Sequence, residues 1–369
     1  MKITGLKTFI LHVPVTRNGV ADSMHTLSHW GAPGVILETD VGIAGVGYSG
    51  THAHIASDRL ITQCIETCFA ELIIGKDPRE TSALFRTMER HPPVQWVGRG
   101  GITHLAMGAI DVALWDIKAK AAGQPLWQLL GGSSRKIRAY NTDGGWLNWS
   151  IQTLMTDCEK LIKEEGYTGV KIKVGSENLA EDIRRLEAVR KAIGSTPTLA
   201  VDANGRMDLP TAIRFGRALA DNDVMWFEEP LWYDDVGSHQ RLAQSISTPI
   251  ALGEQLYLPQ NFETFFNADA VHYAQPDVAR LGGVTPWLQV ADMALNRGLP
   301  VVSHVGDMMQ THIHTAIGHP SCTMLEYIPW LRECFFEPTT VKDGFFVVPQ
   351  EPGAGTTLRT DALDRFGVK

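Results

Sequence analysis

Five short apolar runs along this chain each end in a lysine, an acid or a histidine. The runs are residues 170–173, 199–202, 224–228, 250–254 and 301–304. Amphipathic stretches such as residues 180–193 separate them, and this alternation is typical of a parallel α/β fold. A (β/α) barrel carries its reactive side chains at the carboxyl ends of its strands. The sequence therefore predicts a barrel with its chemistry at one rim.

Three of these five strand ends are carboxylates, namely Asp202, Glu228 and Glu254. They follow one another at intervals of roughly 26 residues, about one strand–helix unit, so consecutive strands would point them at one centre. Glu228 is preferred to Glu229 because side chains alternate along a strand and only Glu228 shares the face of Trp226. Three hard oxygen ligands suit Mg²⁺, with Mn²⁺ as the alternative. We therefore predict a divalent cation site.

Length and composition limit the classes of function. A chain of 369 residues, 44% apolar and 20% charged, suits a globular protein of roughly two domains. The net charge is −8 and no large cluster of lysine and arginine occurs, which argues against nucleic acid and anionic membranes as partners. No apolar stretch approaches the ~20 residues of a membrane span. Five cysteines without framework spacing indicate a reducing compartment, so we expect a cytoplasmic protein.

The chain divides into three blocks. Residues 1–130 begin with alternating strands, joined by a turn at Asp40, and continue with helices, which predicts an α+β first domain. A glycine- and serine-containing junction at 131–136 opens the second block, 131–326, which is the predicted barrel. The third block, 327–369, carries several prolines and short strand patterns, and we expect it to return to the first domain.

Lys171 and Lys173 alternate on one strand, so both side chains point to the same face. Two lysines crowded at a barrel rim beside a cation would favour the neutral amine, which could act as a general base near neutral pH. Taken alone, the pair is typical of two solvated lysines on an edge strand. Beside three carboxylates, we predict that both are catalytic.

Asp277 and His304 end two consecutive strand-like runs, so we expect them to be neighbours. A carboxylate that bonds one ring nitrogen of a histidine fixes the tautomer and raises the basicity of the other nitrogen, which makes a proton-transfer unit. Glu326 ends the next run and could, if protonated, donate a hydrogen bond to a developing oxyanion. We predict that all three residues are catalytic.

These segments resemble, over nearly the whole chain, the mandelate racemase branch of the enolase superfamily, the mandelate racemase/muconate lactonizing enzyme family. The helical segment 109–120 and the Leu-Leu-Gly-Gly at 129–132 are similar to the family's junction of cap and barrel, and Lys-Ile-Lys at 171–173 is similar to its KxK signature. Three residues are similar to the family's Mg²⁺ ligands, namely Asp202, Glu228 and Glu254. Asp277 and His304 are similar to its Asp–His dyad, and Glu326 is similar to its electrophilic glutamate.

The resemblance implies an α/β fold in which a modified TIM barrel, (β/α)7β, carries an α+β capping domain. It also implies abstraction of the proton α to a carboxylate to give an enediolate stabilised by Mg²⁺. Loss of that proton places a second negative charge on the substrate, so Mg²⁺, Lys171 and Glu326 would stabilise the intermediate more than the ground state. Lys173 and His304 would then flank the plane of the intermediate.

Within that branch the chain is most similar to acid sugar dehydratases of the talarate/galactarate type, on residues 140–145, 171–175 and 180–185. This resemblance implies dehydration of an aldonate or aldarate to a 2-keto-3-deoxy acid. A racemase or epimerase of a 2-hydroxy acid is the nearer alternative, and a non-catalytic sugar-acid binding protein is the remoter one. The resemblance also implies an acid sugar as the small-molecule partner and an even-numbered homo-oligomer, with an octamer as one candidate.

The predicted substrate-binding residues lie in two places. The polar segment 15–31 falls where the family's cap closes over the site, and we expect it to contact the distal end of the substrate. The predicted contacts are Arg17, His25 and Trp30 in that segment, with Tyr140 and Asn204 at the barrel rim.

Overall fold

The computed structural model describes residues 1–305 and 309–368, except the side chain of Asn18. The first block builds an antiparallel sheet and a small hairpin. Its strands are β1 (Ile3–Pro14), β2 (Val20–Ala21), β3 (Thr26–Leu27), β4 (His29–Thr39) and β5 (Ala44–Tyr48). The order in the sheet is β1-β4-β5, and β2 pairs with β3 alone.

Helices cover one side of this sheet. They are α1 (Ile55–Cys64), α2 (Ala70–Ile73), α3 (Thr81–Glu89), α4 (Pro92–Val97), α5 (Ile102–Ala121) and α6 (Leu126–Leu129), and a π-helical turn, Ile65–Phe69, joins α1 to α2. The longest, α5, lies directly on β5 because two glycines allow close approach. A Cβ atom at Gly47 would lie 1.9 Å from the carbonyl oxygen of Ala109, and one at Gly45 would lie 2.2 Å from that of Ala113.

The second block is a closed barrel of parallel strands. Its strands are β6 (Arg138–Asn141), β7 (Gly169–Lys173), β8 (Thr198–Asp202), β9 (Phe227–Glu228), β10 (Ile250–Leu252), β11 (Tyr273–Ala274) and β12 (Met324–Tyr327). Consecutive strands pair from β6 to β11. Val301 bridges Ala274 on one side and Cys322 on the other, and β12 pairs with β6. The segment at Val301 is thus the seventh of eight strands.

Helices alternate with these strands. They are α7 (Ile151–Lys163), α8 (Leu179–Ile193), α9 (Leu209–Ala220), α10 (Val236–Ala243), α11 (Pro259–Asn267), α12 (Val278–Leu281), α13 (Val284–Asn296) and α14 (Thr311–Gly318). Short polar side chains accept hydrogen bonds from first-turn amides at several helix starts, as Asn178 does for α8 and Asp208 for α9. The predicted (β/α)7β barrel with a capping domain is confirmed.

The third block contacts both other blocks. Its elements are a 3₁₀ helix, Arg332–Cys334, the strands β13 (Val341–Lys342) and β14 (Phe345–Phe346), and α15 (Ala362–Phe366). Phe345 pairs with Arg138 of the barrel, while Gly367 bridges Leu11 of β1. The division of the chain at residues 130 and 326 stays a prediction. None of the helices within 1–305 and 309–368 combines the length and the apolar character needed to cross a membrane.

Candidate active site

Three neighbouring strands bring the predicted carboxylates together. Asp202 ends β8, Glu228 ends β9 and pairs with it in register, and Glu254 follows β10 by two residues. All three are buried, and one oxygen of each lies within 4.8 Å of those of the others. Burial and the neighbouring acids raise the pKa of Glu228 to about 7, although Lys171 opposes this. The three carboxylates are hard oxygen ligands whose negative charges repel one another, so together they form a site that suits a cation such as Mg²⁺.

Further donors hold these carboxylates in place. Glu228 Oε2 accepts hydrogen bonds from Trp226 Nε1 at 2.8 Å and from Gln275 Nε2 at 2.7 Å. Asp202 Oδ1 accepts one from the backbone N–H of Asn204 at 2.9 Å. Such bonds fix the orientation of a metal ligand and tune its charge. Sequence reasoning missed Gln275, because a buried glutamine after β11 carries no spacing signal.

Both predicted lysines reach the carboxylates. Lys171 Nζ contacts Glu228 and lies 2.9 Å from Glu326 Oε1. Lys173 Nζ donates to Asp202 Oδ2 at 2.6 Å and to Asn204 Oδ1 at 3.1 Å. Burial lowers the pKa of each ammonium, but the carboxylates outweigh burial and hold both pKa values above their ordinary range. The sequence predicts a lowered lysine pKa beside a bound cation, and that stays a prediction, since here the carboxylates act on the lysines alone.

His304 and Asp277 form the predicted pair. His304 Nδ1 donates to Asp277 Oδ2 at 2.7 Å, and Nε2 lies 3.3 Å from Glu254 Oε2. Asp277 Oδ1 accepts from the backbone N–H groups of Ala279 at 2.7 Å and Arg280 at 3.2 Å, which caps α12. Burial lowers the pKa of His304, but Glu254 and Asp277 together raise it above its usual value. Burial raises the pKa of Asp277, but its bond to His304 and the neighbouring positive charges lower it below its ordinary range, so the carboxylate accepts this bond and Nδ1 carries the proton.

Glu326 stands on β12 beside Lys171. Its Oε1 accepts from Thr142 Oγ1 at 2.5 Å, and its Oε2 accepts from the backbone N–H of Val305 at 2.6 Å. Burial raises the pKa of this carboxyl, but Lys171 and His304 lower it to about 2. The carboxyl is therefore ionised in this arrangement, and its role as a hydrogen-bond donor stays a prediction.

A pocket lies above the carboxylates, between the barrel rim and the first block. The residues that line it are Asp22, His25, Leu27, Trp30, His52, Trp146, Lys173, Asn204, Glu254, Gln255, Arg280, His304, Glu326, Ile328 and Trp330. The predicted His25, Trp30 and Asn204 are among them. The β2–β3 hairpin is fastened to the rim, since Ser23 Oγ donates to the carbonyl of Ala203 at 2.7 Å.

Two predicted substrate contacts lie elsewhere. The Arg17 guanidinium stacks 4.6 Å above the Trp149 ring and lies 2.5 Å from Asp157 Oδ1, in a neighbouring cavity. The Tyr140 ring is buried inside the barrel, 5.9 Å from Lys171 Nζ, and packs edge-on against Trp226. Neither residue lines the pocket, because local partners already hold both side chains.

Sequence reasoning also missed His52 and Arg280 in the pocket lining. His52 comes from the loop after β5, far along the chain from the strand ends that guided the prediction. Arg280 follows Asp277 by three residues, on α12. The sequence signal that could have found Arg280 is its position three residues after a predicted catalytic acid.

Two family models match this architecture. Residues 5–131 match the mandelate racemase / muconate lactonizing enzyme N-terminal domain, and residues 153–362 match the enolase C-terminal domain-like family. The chain belongs to the mandelate racemase/muconate lactonizing enzyme family. The resemblance seen in the sequence is thereby confirmed. The N-terminal match covers nearly all of the first block, and the C-terminal match covers most of the second block and continues to residue 362.

Individual members of the family are similar in sequence and structure. The L-talarate/galactarate dehydratase of Salmonella typhimurium is 36% identical over 333 residues, which cover 87% of this chain and 79% of the relative. Its crystal structure with Mg and L-lyxarohydroxamate superposes with a TM-score of 0.92 at 33% identity, covering 100% of this chain and 93% of the other. The crystal structure of a racemase from Streptomyces coelicolor with bound magnesium also superposes with a TM-score of 0.92, at 30% identity, covering 99% of this chain and 100% of the other.

Proposed function

We propose that this protein is a Mg²⁺-dependent acid sugar dehydratase, a hydro-lyase that converts an aldonate or aldarate to a 2-keto-3-deoxy acid. The observation that carries the proposal is the placement of two proton-transfer groups in one pocket, Lys173 on β7 and His304 after the seventh strand, above three clustered carboxylates. The relatives that are dehydratases support the same reaction.

Asp202, Glu228 and Glu254 are the residues that would hold the metal. When bound, Mg²⁺ supplies concentrated positive charge beside the carboxylate of the substrate. Lys171 adds a buried ammonium in contact with Glu228. Its positive charge stabilises the enediolate, which carries one more negative charge than the substrate, more than it stabilises the substrate, and this difference is what accelerates the reaction.

The reaction needs one base and one acid. One of Lys173 and His304 removes the α-proton, and the electron pair of the C–H bond moves toward the carboxylate. As the electron pair returns, the C–O bond at the β-carbon breaks, and the opposite group protonates the departing hydroxyl so that water leaves. The resulting enol takes a proton at the β-carbon and becomes the 2-keto-3-deoxy acid. Asp277 serves this cycle by holding the ring of His304 with Nε2 toward the pocket.

A screen of aldonates and aldarates tests the proposal. The protein is assayed with MgCl₂ against each acid, and 2-keto acid formation is measured by a carbonyl reagent. We expect at least one acid to give one equivalent of 2-keto acid per acid consumed. Absence of 2-keto acid with every member of a stereochemically complete set would refute the proposal.

A racemase or epimerase of a 2-hydroxy acid is the second candidate. The similarity to the Streptomyces coelicolor racemase favours it. So does the pocket, since groups on two sides can exchange the α-proton without loss of water. The same screen separates the two reactions, because an epimerase interconverts two acids and forms no 2-keto acid.

The Asp277→Asn variant should lose about 10³-fold in kcat. The Asn Oδ1 can still cap α12, but its amide would donate to His304 Nδ1 and force the proton onto Nε2, where the base is needed. The melting temperature should change little. The matched control is Asp292→Asn, because Asp292 Oδ1 lies 3.1 Å from His319 Nε2 in a second His–Asp pair outside the pocket. Equal activity of Asp277→Asn and the control would contradict the role of Asp277.

Changes to the cap should alter the choice of substrate. The Trp30 ring packs 5.7 Å from Trp330 at the pocket wall, and His25 is bonded to Asp22 in the lining. We expect His25→Ala and Trp30→Phe to shift the ratio of kcat/KM between two acids by about 10-fold, the effect of one lost polar or packing contact, with Mg²⁺ affinity unchanged. His29→Ala is the control, since His29 is exposed. An unchanged substrate profile in both variants would show that these cap residues do not determine substrate specificity.

We also propose an even-numbered homo-oligomer, with an octamer as one candidate, that works in the cytoplasm. Trp96 is 88% exposed and Val97 80% exposed on α4, and such apolar surface supports burial between copies. Among the described residues no disulfide links the five cysteines, which is consistent with a reducing compartment. Light scattering coupled to gel filtration measures the assembly, and a monomer at micromolar concentration would contradict it.

A further inference from the structure

Arg280 presents to the pocket a positive charge that has no direct ion pair. Burial lowers the pKa of its guanidinium, but Tyr257 and the nearby charges of Asp277 and Glu254 raise it above its ordinary value. Its Nη1 donates to Gln255 Oε1 at 3.2 Å and to Tyr257 Oη at 3.0 Å, and both acceptors are uncharged. The guanidinium lies 5.9 Å from the Tyr257 ring. Within residues 1–305 and 309–368, no carboxylate oxygen forms an ion pair with it at 4.0 Å or less.

The other charged groups of the lining have partners of opposite sign. Lys173 pairs with Asp202, and Glu326 pairs with Lys171. The remaining pairs are His25 with Asp22, and His304 with Asp277 and Glu254. Arg280 is therefore the cation of the described lining that has no direct ion pair, and a cation taken out of water is stabilised by direct contact with an anion.

The surroundings of Arg280 favour an anion from the substrate. Burial lowers the pKa of His52 to about 4, and the charges of His25 and Arg280 act in the same direction. His52 is thus a neutral imidazole at neutral pH, able to donate one hydrogen bond to an anion without adding charge. The Trp30 ring packs against His52, with ring centroids 5.5 Å apart.

We propose that Arg280 binds the second carboxylate of a dicarboxylic acid sugar, so that aldarates rather than aldonates are the substrates. The inference rests on the proposed dehydratase function, in which the first carboxylate lies at Asp202, Glu228 and Glu254. The planar guanidinium offers two parallel N–H donors that match the two oxygens of a carboxylate. A primary hydroxyl at the same position, as in an aldonate, would leave Arg280 without a direct ion pair. Arg280 is then a specificity-determining residue.

Matched pairs of acids test this inference. Each pair has the same hydroxyl configuration and differs only in a carboxylate or a hydroxymethyl group at the far end, as galactarate does from galactonate and glucarate from gluconate. We expect the wild type to prefer the aldarate of its best pair by about 100-fold in kcat/KM, a typical effect of one charge-assisted pair. Preference for the aldonate would overturn the inference while leaving the dehydratase proposal intact. Failure of all acids would instead refute the dehydratase itself.

Variants locate the effect at Arg280. Arg280→Met should lower kcat/KM for the aldarate by about 100-fold and for the aldonate by less than about 3-fold, mainly through KM. Arg280→Lys keeps the charge but loses the two parallel N–H donors, so its loss in kcat/KM for the aldarate should lie between those of the wild type and the Met variant. It also replaces the Met variant in this test if that variant does not fold. Arg297→Met is the matched control, because Arg297 also bonds a neutral amide, Asn267, and an aromatic ring, at the barrel surface. Equal losses on both acids would show a purely structural role and overturn the inference.

Discussion

Replacing His304 with Asn should abolish formation of the 2-keto acid, with a loss of at least about 10³-fold in kcat. The imidazole lies between Asp277 at 2.7 Å and Glu254 at 3.3 Å, and Asn has no titratable nitrogen to carry a proton in its place. Lys173→Ala should be equally inactive, since the lysine is the proton-transfer group on the other side of the pocket. His29→Asn, an exposed histidine of the cap, is the control.

The two variants should differ in proton exchange. If Lys173 removes the α-proton, His304→Asn will still incorporate deuterium from D₂O into recovered substrate while forming no product, because abstraction survives when loss of the hydroxyl is blocked. If His304 removes it, Lys173→Ala will show that exchange instead. Proton NMR of the recovered acid measures the exchange and names the first base. Full dehydratase activity of His304→Asn would end the assignment of this residue.

Replacing Glu228 with Gln should weaken Mg²⁺ binding by at least about 100-fold and abolish turnover, because the change removes a charge and a hard ligand together. The Gln amide would also face the donors Trp226 Nε1 and Gln275 Nε2, which now point at a carboxylate oxygen. Asp202→Asn should weaken Mg²⁺ binding and abolish turnover in the same way. Titration calorimetry with MgCl₂ measures the affinity without relying on activity.

Glu263→Gln is the matched control for these ligand variants, since Glu263 is exposed on α11. Its Mg²⁺ affinity and turnover should equal those of the wild type. Near wild-type activity after exhaustive treatment with EDTA, or an unchanged Mg²⁺ affinity in Glu228→Gln, would contradict the assignment of the carboxylate cluster as the metal site.

Regular spacing explains what could be predicted from the sequence. A parallel barrel repeats one strand and one helix, so Asp202, Glu228 and Glu254 fall together once the period is recognised. The side-chain alternation of a strand separates Glu228 from Glu229, and the structure places only Glu228 in the carboxylate cluster. The chemistry at the strand ends was therefore accessible from local pattern alone.

Contacts between the cap and the barrel could not be predicted in the same way. Arg17 was expected over the substrate, but Trp149 and Asp157 hold it in a neighbouring cavity. Arg280 and His52 meet at the pocket from segments more than 200 residues apart, so only tertiary packing brings them together. The pKa values of the lysines also depended on how many carboxylates surround them, which local sequence does not state.

Proton NMR of the wild type in D₂O tests the central claim most directly. The protein is incubated with MgCl₂ and the best acid from the screen, and substrate and product are followed together. We predict loss of the α-proton signal at the rate of 2-keto-3-deoxy acid formation or faster, with deuterium entering the former β-carbon of the product. Interconversion of two epimers without any 2-keto acid would contradict this account and assign the site to a racemase.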